Sequence, residues 1–180
     1  VSCGWQPQVS VMETFGEPGH GPAEVVYAFC SVPFIDPSIP DEVLAENAPR
    51  TQDAVQLTAK VREALGRAIV QALFPGSAEV QVMALEPALE RILLQAMGTG
   101  GEGAAIEPGL ADTLLRQTAE IAQRQEDIGL PPVLLVPASL RMLLSRFLRR
   151  AVPSLKVISN NEVPESRTIR VTAMVGMQQG

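Results

Sequence analysis

Pro131-Pro-Val-Leu-Leu-Val-Pro137, then Ala138-Ser-Leu-Arg-Met-Leu-Leu-Ser-Arg-Phe-Leu-Arg-Arg-Ala151, then Leu155-Lys-Val-Ile-Ser159 are the stretches that decide the fold. The first is a short, continuous apolar run bounded by prolines. That pattern suits a strand buried on both faces of an α/β layer. In the second, Leu140, Leu143, Leu144, Phe147 and Leu148 recur at helical spacing and form an apolar stripe. The third reads as another strand. Strand, helix and strand in this order make a parallel crossover, which is expected to be right-handed. Leu135 is placed in the core, so Leu135→Asp is expected to unfold the unit by burying an unpaired carboxylate.

Working outward, Glu79–Leu85 alternates at its start and reads as a strand. Glu86-Pro87 then opens a helix whose buried face is Leu89, Ile92, Leu93, Ala96 and Met97, with Gly98 as its stop. A linker is expected over 98–105. Glu107-Pro108 opens a second helix by the same device. Leu110, Leu114, Thr118, Ile121, Gln125 and Ile128 recur along it, and Gly129 ends it. Its wet side carries the i,i+4 pairs Arg116–Glu120 and Glu120–Arg124. Downstream, Asn160-Asn161 and Pro164 make a turn, and Thr168–Val175 alternates as the last strand. Upstream, Val55–Leu73 is one helix with Leu57, Val61, Leu65, Ala68, Ile69, Ala72 and Leu73 on one face. Gly66 lies inside it, and an interior glycine often marks close packing against another element. The fold class is therefore α+β or α/β. A helical segment precedes a small α/β subdomain with a short, partly parallel sheet in the order β-α-α-β-α-β-β. Residues 1–41 are Pro/Gly-rich and acidic, and stay unassigned apart from the short apolar run Val25–Cys30, a weak strand candidate. Residues 42–76 form a partial helical subdomain and 77–180 the α/β subdomain.

Composition narrows the function. The chain has 180 residues and a formal net charge of -6, which argues against a general nucleic-acid binder. Residues 1–50 hold seven acids and a single base, whereas the remainder is balanced. No apolar stretch approaches the ~20 residues that span a bilayer, and the start shows no secretory signal pattern. Catalytic chemistry has little to work with. His20 is alone in a Gly-Pro-rich stretch, Cys3 and Cys30 lack metal-ligand spacing, and no His, Cys, Trp or Tyr follows residue 50. We therefore assign no catalytic, cofactor-binding or metal-ligating residue. Gly98-Thr-Gly-Gly-Glu-Gly103 matches a dinucleotide fingerprint by spacing, but it follows a helix, and Glu102 would face phosphate. One charged face remains: Arg141, Arg146, Arg149 and Arg150, followed by Lys156. It reads either as a solvated face complementing the helix C-terminus or as a contact surface for an acidic protein partner. Nucleic acid is disfavoured there, because no aromatic residues are interleaved for stacking.

The order of motifs over 42–176 resembles the C-terminal cytoplasmic region of the FlhA family, the export gates of flagellar and virulence type III secretion systems. The resemblance rests on Leu44-Ala-Glu-Asn-Ala-Pro-Arg-Thr-Gln-Asp53, Val61-Arg-Glu-Ala-Leu-Gly-Arg-Ala-Ile-Val70 and Leu85-Glu-Pro-Ala-Leu-Glu90. It continues through Glu107-Pro-Gly-Leu110, Pro131–Val136, Leu140-Arg141, Arg146-Phe-Leu-Arg-Arg150 and Val157-Ile-Ser-Asn-Asn-Glu-Val-Pro164. The ending Arg167–Gly176 is similar to the flagellar branch. The resemblance implies a non-enzymatic part of the export gate at the cytoplasmic face of the bacterial inner membrane. It also implies a ring with other copies, and contacts with flagellar export components, chaperones and export substrates. Membrane attachment would run through a transmembrane region outside this chain. The alternatives are the corresponding domain of an injectisome gate and a free-standing α/β ligand-binding or regulatory domain. The latter would use a crevice near Pro137 and Asn160-Asn161, at the strand C-termini.

Overall fold

A computed structural model describes residues 38–100 and 106–176. The chain divides into two compact units, one ending at Ala64 and one beginning at Leu65. In the first unit, α1 is Ser38–Asn47 and α2 is Ala54–Ala64. α1 begins inside the stretch expected to carry no assigned structure. Asp53 caps α2, its Oδ1 accepting the Val55 backbone N–H at 2.8 Å. Leu57, Thr58 and Val61 are buried along α2.

The second unit opens with α3, Gly66–Leu73. The single helix expected over Val55–Leu73 is thus two helices, interrupted at Leu65 (φ -83°, ψ 0°). Gly66 shows why the second piece belongs with the α/β unit. A Cβ there would collide with the Glu162 carbonyl oxygen and lie 2.9 Å from its carbon. The division at 64/65 therefore falls ahead of the expected 76/77 boundary.

After α3 come β1 (Glu79–Leu85), α4 (Pro87–Gly100), α5 (Pro108–Asp127), β2 (Val133–Val136), α6 (Ala138–Arg149), β3 (Lys156–Ser159) and β4 (Thr168–Val175). That is the expected β-α-α-β-α-β-β order. α4 runs on to Gly100, two residues past the glycine expected to stop it, and 101–105 lie outside the described residues. α5 ends as its sequence requires. Gly129 takes φ 78°, its N–H donates to the Glu126 carbonyl at 2.9 Å, and Leu130 N–H reaches the Gln125 carbonyl at 2.8 Å. This paired arrangement satisfies carbonyls that the helix end would otherwise leave open. Ile128, expected on the buried face, is 71% exposed, because the helix ends just before it.

The sheet order is β3-β2-β1-β4, and every pairing is parallel. The sheet is thus more uniformly parallel than expected. One face carries Met83, Leu85, Leu134, Val136, Val157 and Val175, which form one cluster with Leu89 and Leu93 of α4, Leu114 of α5 and Leu140, Leu144 and Leu148 of α6. Val80, Val82, Val133 and Ile158 point to the other face and are also buried. Leu135 lies on that second face and is only half-buried, whereas Leu134 is fully buried in the cluster.

β4 departs most from its sequence pattern. Thr168–Val175 alternates, which predicts one face carrying Ile169, Val171, Ala173 and Val175. The register skips between Val82 and Met83, so Thr172 is a bulge: Val82 pairs with Val171 and Met83 with Ala173. The extra residue reverses the facing of the residues after it. Ile169 and Val171 share the face of Val80 and Val82 and remain 43% and 48% exposed, while Val175 enters the cluster. β4 is also an edge strand, which explains why most of it is exposed.

The connection from β3 to β4 joins opposite edges of a parallel sheet. Ser159 pairs with Val136, Ala84 sits beside Leu135, and Thr168 pairs with Glu79. The return therefore covers three strand spacings and runs back along the sheet from Leu85 toward Glu79. Residues 160–167 make it, and two turns contract them: the 3-10 turn Asn160–Glu162, and a turn that Arg167 N–H closes on the Pro164 carbonyl at 3.0 Å. The connection is a strap with little slack.

Leu134→Ala should lower unfolding stability by about 2–5 kcal/mol, because Leu134 is fully buried in the cluster between sheet and helices. Urea unfolding checks this. A change below about 1 kcal/mol would contradict the assignment of β2 to the centre of the core.

Candidate functional site

The four arginines singled out on α6 separate into two groups. Arg141 is 6% exposed, and its Nε lies 3.6 Å from Glu162 Oε1. The same carboxylate oxygen accepts a hydrogen bond from Ser159 Oγ at 3.1 Å, and Glu162 is 2% exposed. Arg141 is therefore a buried ion-pair residue and not part of an outward contact face. Arg146, Arg149 and Arg150 are exposed at the C-terminal end of the helix. Their charge there complements the partial negative charge of the last carbonyls. Lys156 is exposed at the start of β3.

Helical geometry accounts for the split. At about 100° per residue, Arg141 falls within about 20° of Leu148 and about 60° of Leu144, and opposite Arg150. It sits within the apolar stripe, which reads Leu140, Arg141, Leu144 and Leu148 in burial. A cation in that stripe needs a buried acid. Glu162, in the Asn-Asn-Glu turn after β3, supplies it. The helical wheel carried the signal for Arg141, but nothing local marks Glu162 as its partner.

A second feature lies at the C-terminal ends of β1 and β4. Glu86, Gln117, Glu120, Ile121, Arg124, Met174 and Gly176 line a groove of about 270 Å³. Gln117 Oε1 accepts the Gly176 backbone N–H at 3.0 Å, and a Cβ on Gly176 would collide with the Glu86 carboxylate. Glu120 and Arg124 approach to 4.0 Å on the exposed side of α5. Beside the groove, Gln125 Nε2 donates to Thr172 Oγ1 at 2.7 Å, and Thr172 Oγ1 donates to the Val82 carbonyl at 3.1 Å. Thr172 thereby occupies a carbonyl at the bulge. Sequence reading placed Gln125 on the buried face but had no signal for this bond. The crevice expected near Pro137 and Asn160-Asn161 is where the 3-10 turn folds inward and buries Glu162. Among the described residues, no group of three or more His, Cys, Asp or Glu is placed to hold a metal ion, and no helix is long and apolar enough to cross a membrane. His20, Cys3, Cys30 and the run Val25–Cys30 lie outside the described residues.

Arg141→Ala should destabilise the α/β unit by about 3 kcal/mol or more, because it strips a buried carboxylate of its cation. Arg150→Ala should change stability by less than about 0.5 kcal/mol. Guanidinium unfolding of both variants checks the contrast; equal effects would contradict the division of the arginines.

Comparison with known proteins places this arrangement. The FHIPEP family model matches residues 34–168. The chain is 59% identical over 135 residues to the flagellar biosynthesis protein FlhA of Salmonella typhimurium, covering 75% of this chain and 19% of that protein. It thus spans about a fifth of the length of that relative. The structure of the Shigella flexneri MxiA protein superposes with a TM-score of 0.67 at 26% identity, covering 78% of this chain and 44% of that one. The Chlamydia pneumoniae CdsV and CdsO protein complex gives 0.66 at 25% identity, with 78% and 42% covered. The nonameric EPEC SctV-C has the same fold, with a TM-score of 0.60 at 23% identity, over 78% and 42% of the two chains. With 135 residues spanned by the family model and 59% identity to FlhA of Salmonella typhimurium, the chain is a member of the FHIPEP family, on its flagellar FlhA branch.

Proposed function

We propose that this chain forms the C-terminal cytoplasmic portion of a flagellar type III export gate and acts there without catalysis. Its role is ring assembly with other copies and contact with export components, chaperones and export substrates at the cytoplasmic face of the inner membrane. One observation carries the reading: 59% identity to Salmonella FlhA across both described units. That identity to a protein named for flagellar biosynthesis favours the flagellar branch over the injectisome alternative. Ring assembly is supported by the nonameric state in which SctV-C was solved. Contact with a second protein is supported by the complex in which CdsV was solved with CdsO.

Arg146, Arg149 and Arg150 are the proposed protein-contact face, reduced from four arginines to three by the burial of Arg141. An exposed cationic helix end fits an acidic partner surface and would steer its approach more than fix its affinity.

A chimera tests the reading. Residues 42–176 would replace the matching segment of Salmonella FlhA in a strain lacking the native protein. Swimming motility should return, and the double substitution Arg149→Glu, Arg150→Glu should reduce it at least severalfold while the chimera stays folded and expressed at the parent level. A stably expressed chimera that leaves cells non-motile would reject the export-gate function for this chain. Full motility of the double variant would reject the arginine face.

A further inference from the structure

We infer that the strap between β3 and β4 is a latch for α3, and that α3 can leave the α/β unit while the four-stranded sheet stays folded. α3 touches the strap at both of its ends. At its start, the absence of a side chain on Gly66 lets the Glu162 backbone approach; a Cβ would lie 2.9 Å from the Glu162 carbonyl carbon and 3.1 Å from its Cα, and would collide with the oxygen. Further along, Gln71 Oε1 accepts a hydrogen bond from Arg167 Nη2 at 2.7 Å. The latch itself is anchored independently of α3. Glu162 holds Ser159 and pairs with Arg141, tying the turn to β3 and α6.

α3 and its flanks bury Leu65, Ile69, Val70 and Phe74, all outside the cluster that joins the sheet to α4, α5 and α6. Two features loosen the helix. The helix has eight residues, too few to persist in water without tertiary contacts. It meets β1 through Pro75-Gly76, with Gly76 in a left-handed conformation (φ 73°), so little holds it to the next strand. Releasing the latch therefore unwinds α3 and turns residues 65–76 into a flexible tether ahead of β1, while the Ala78 carbonyl keeps its bond from Thr168 N–H at 3.1 Å. The strap stays in place, because its own anchors and its short span across the sheet do not involve α3. Local opening of this kind draws on the low-stability end of a fold and is a common source of conformational switching.

Native-state hydrogen exchange on the full chain decides the matter. In the unsubstituted protein, amides of Ile69–Leu73 should be protected. In Gly66→Ala, these amides should exchange at least about tenfold faster, while those of Val80–Leu85 and Val133–Val136 stay within about twofold of the parent. Arg167→Ala, altered at the strap's surface, should give the same selective effect with a smaller factor, and serves if Gly66→Ala fails to fold. Acceleration of α3 and the sheet by the same factor in either variant would overturn the inference, since α3 would then be part of one cooperative block. Unchanged exchange of α3 in both variants would overturn it as well.

Discussion

The return from β3 to β4 constrains the whole α/β unit. Two parallel strands at opposite edges of a sheet must be joined by a chain that crosses its full width and also runs back along its length. Here eight residues do this, Asn160 to Arg167, with almost no spare reach. That shortness has a chemical consequence. The chain leaving β3 turns inward at once, and the turn brings a carboxylate into the interior. Glu162 is then buried, and its charge is tolerable only because Arg141 lies in the apolar stripe of α6 and Ser159 donates to the same oxygen. Strap, buried pair and the Gly66 contact are parts of one solution to one connection problem.

Much of the fold was legible in the sequence, and for local reasons. Proline-bounded apolar runs marked β2, and Glu-Pro pairs marked the starts of α4 and α5. A glycine at the left-handed position marked the end of α5. These signals are confined to a few neighbouring residues, so one chain segment carries them. Among the helices, Gly66 was the most informative position, where an interior glycine announced a close approach without saying to what.

The rest depended on residues far apart in the chain. β4 alternates from Thr168 to Ala173, and no local rule reveals that Thr172 breaks its register against β1, nearly a hundred residues earlier. The bulge splits an apparent hydrophobic face into two halves, one wet and one buried. Arg141 on the basic helix depends on a distant residue in the same way. Counting arginines gave a cationic face, whereas placing them on a helical wheel would have put Arg141 among leucines. Its partner Glu162 could be identified only once the strap was seen to fold inward. The exposed arginines that remain stand at the end of α6, where the helix itself favours positive charge, so exposure alone does not distinguish a binding role from a capping one.

The position of β1 has a consequence for how the unit comes into being. β1 is flanked by β2 on one side and by β4 on the other, and β4 is the last regular element among the described residues. During synthesis, β1, β2 and β3 emerge while one edge of β1 still lacks its neighbour. Closing that edge requires a contact of very long sequence separation, the kind that forms slowly and leaves open hydrogen-bonding edges in the meantime. A ribosome that stops before Thr168 would release a three-stranded sheet with Val80 and Val82 at an open border. Closure of the sheet therefore waits on β4, the strand farthest from β1 in sequence, and until it pairs β1 keeps an open hydrogen-bonding edge.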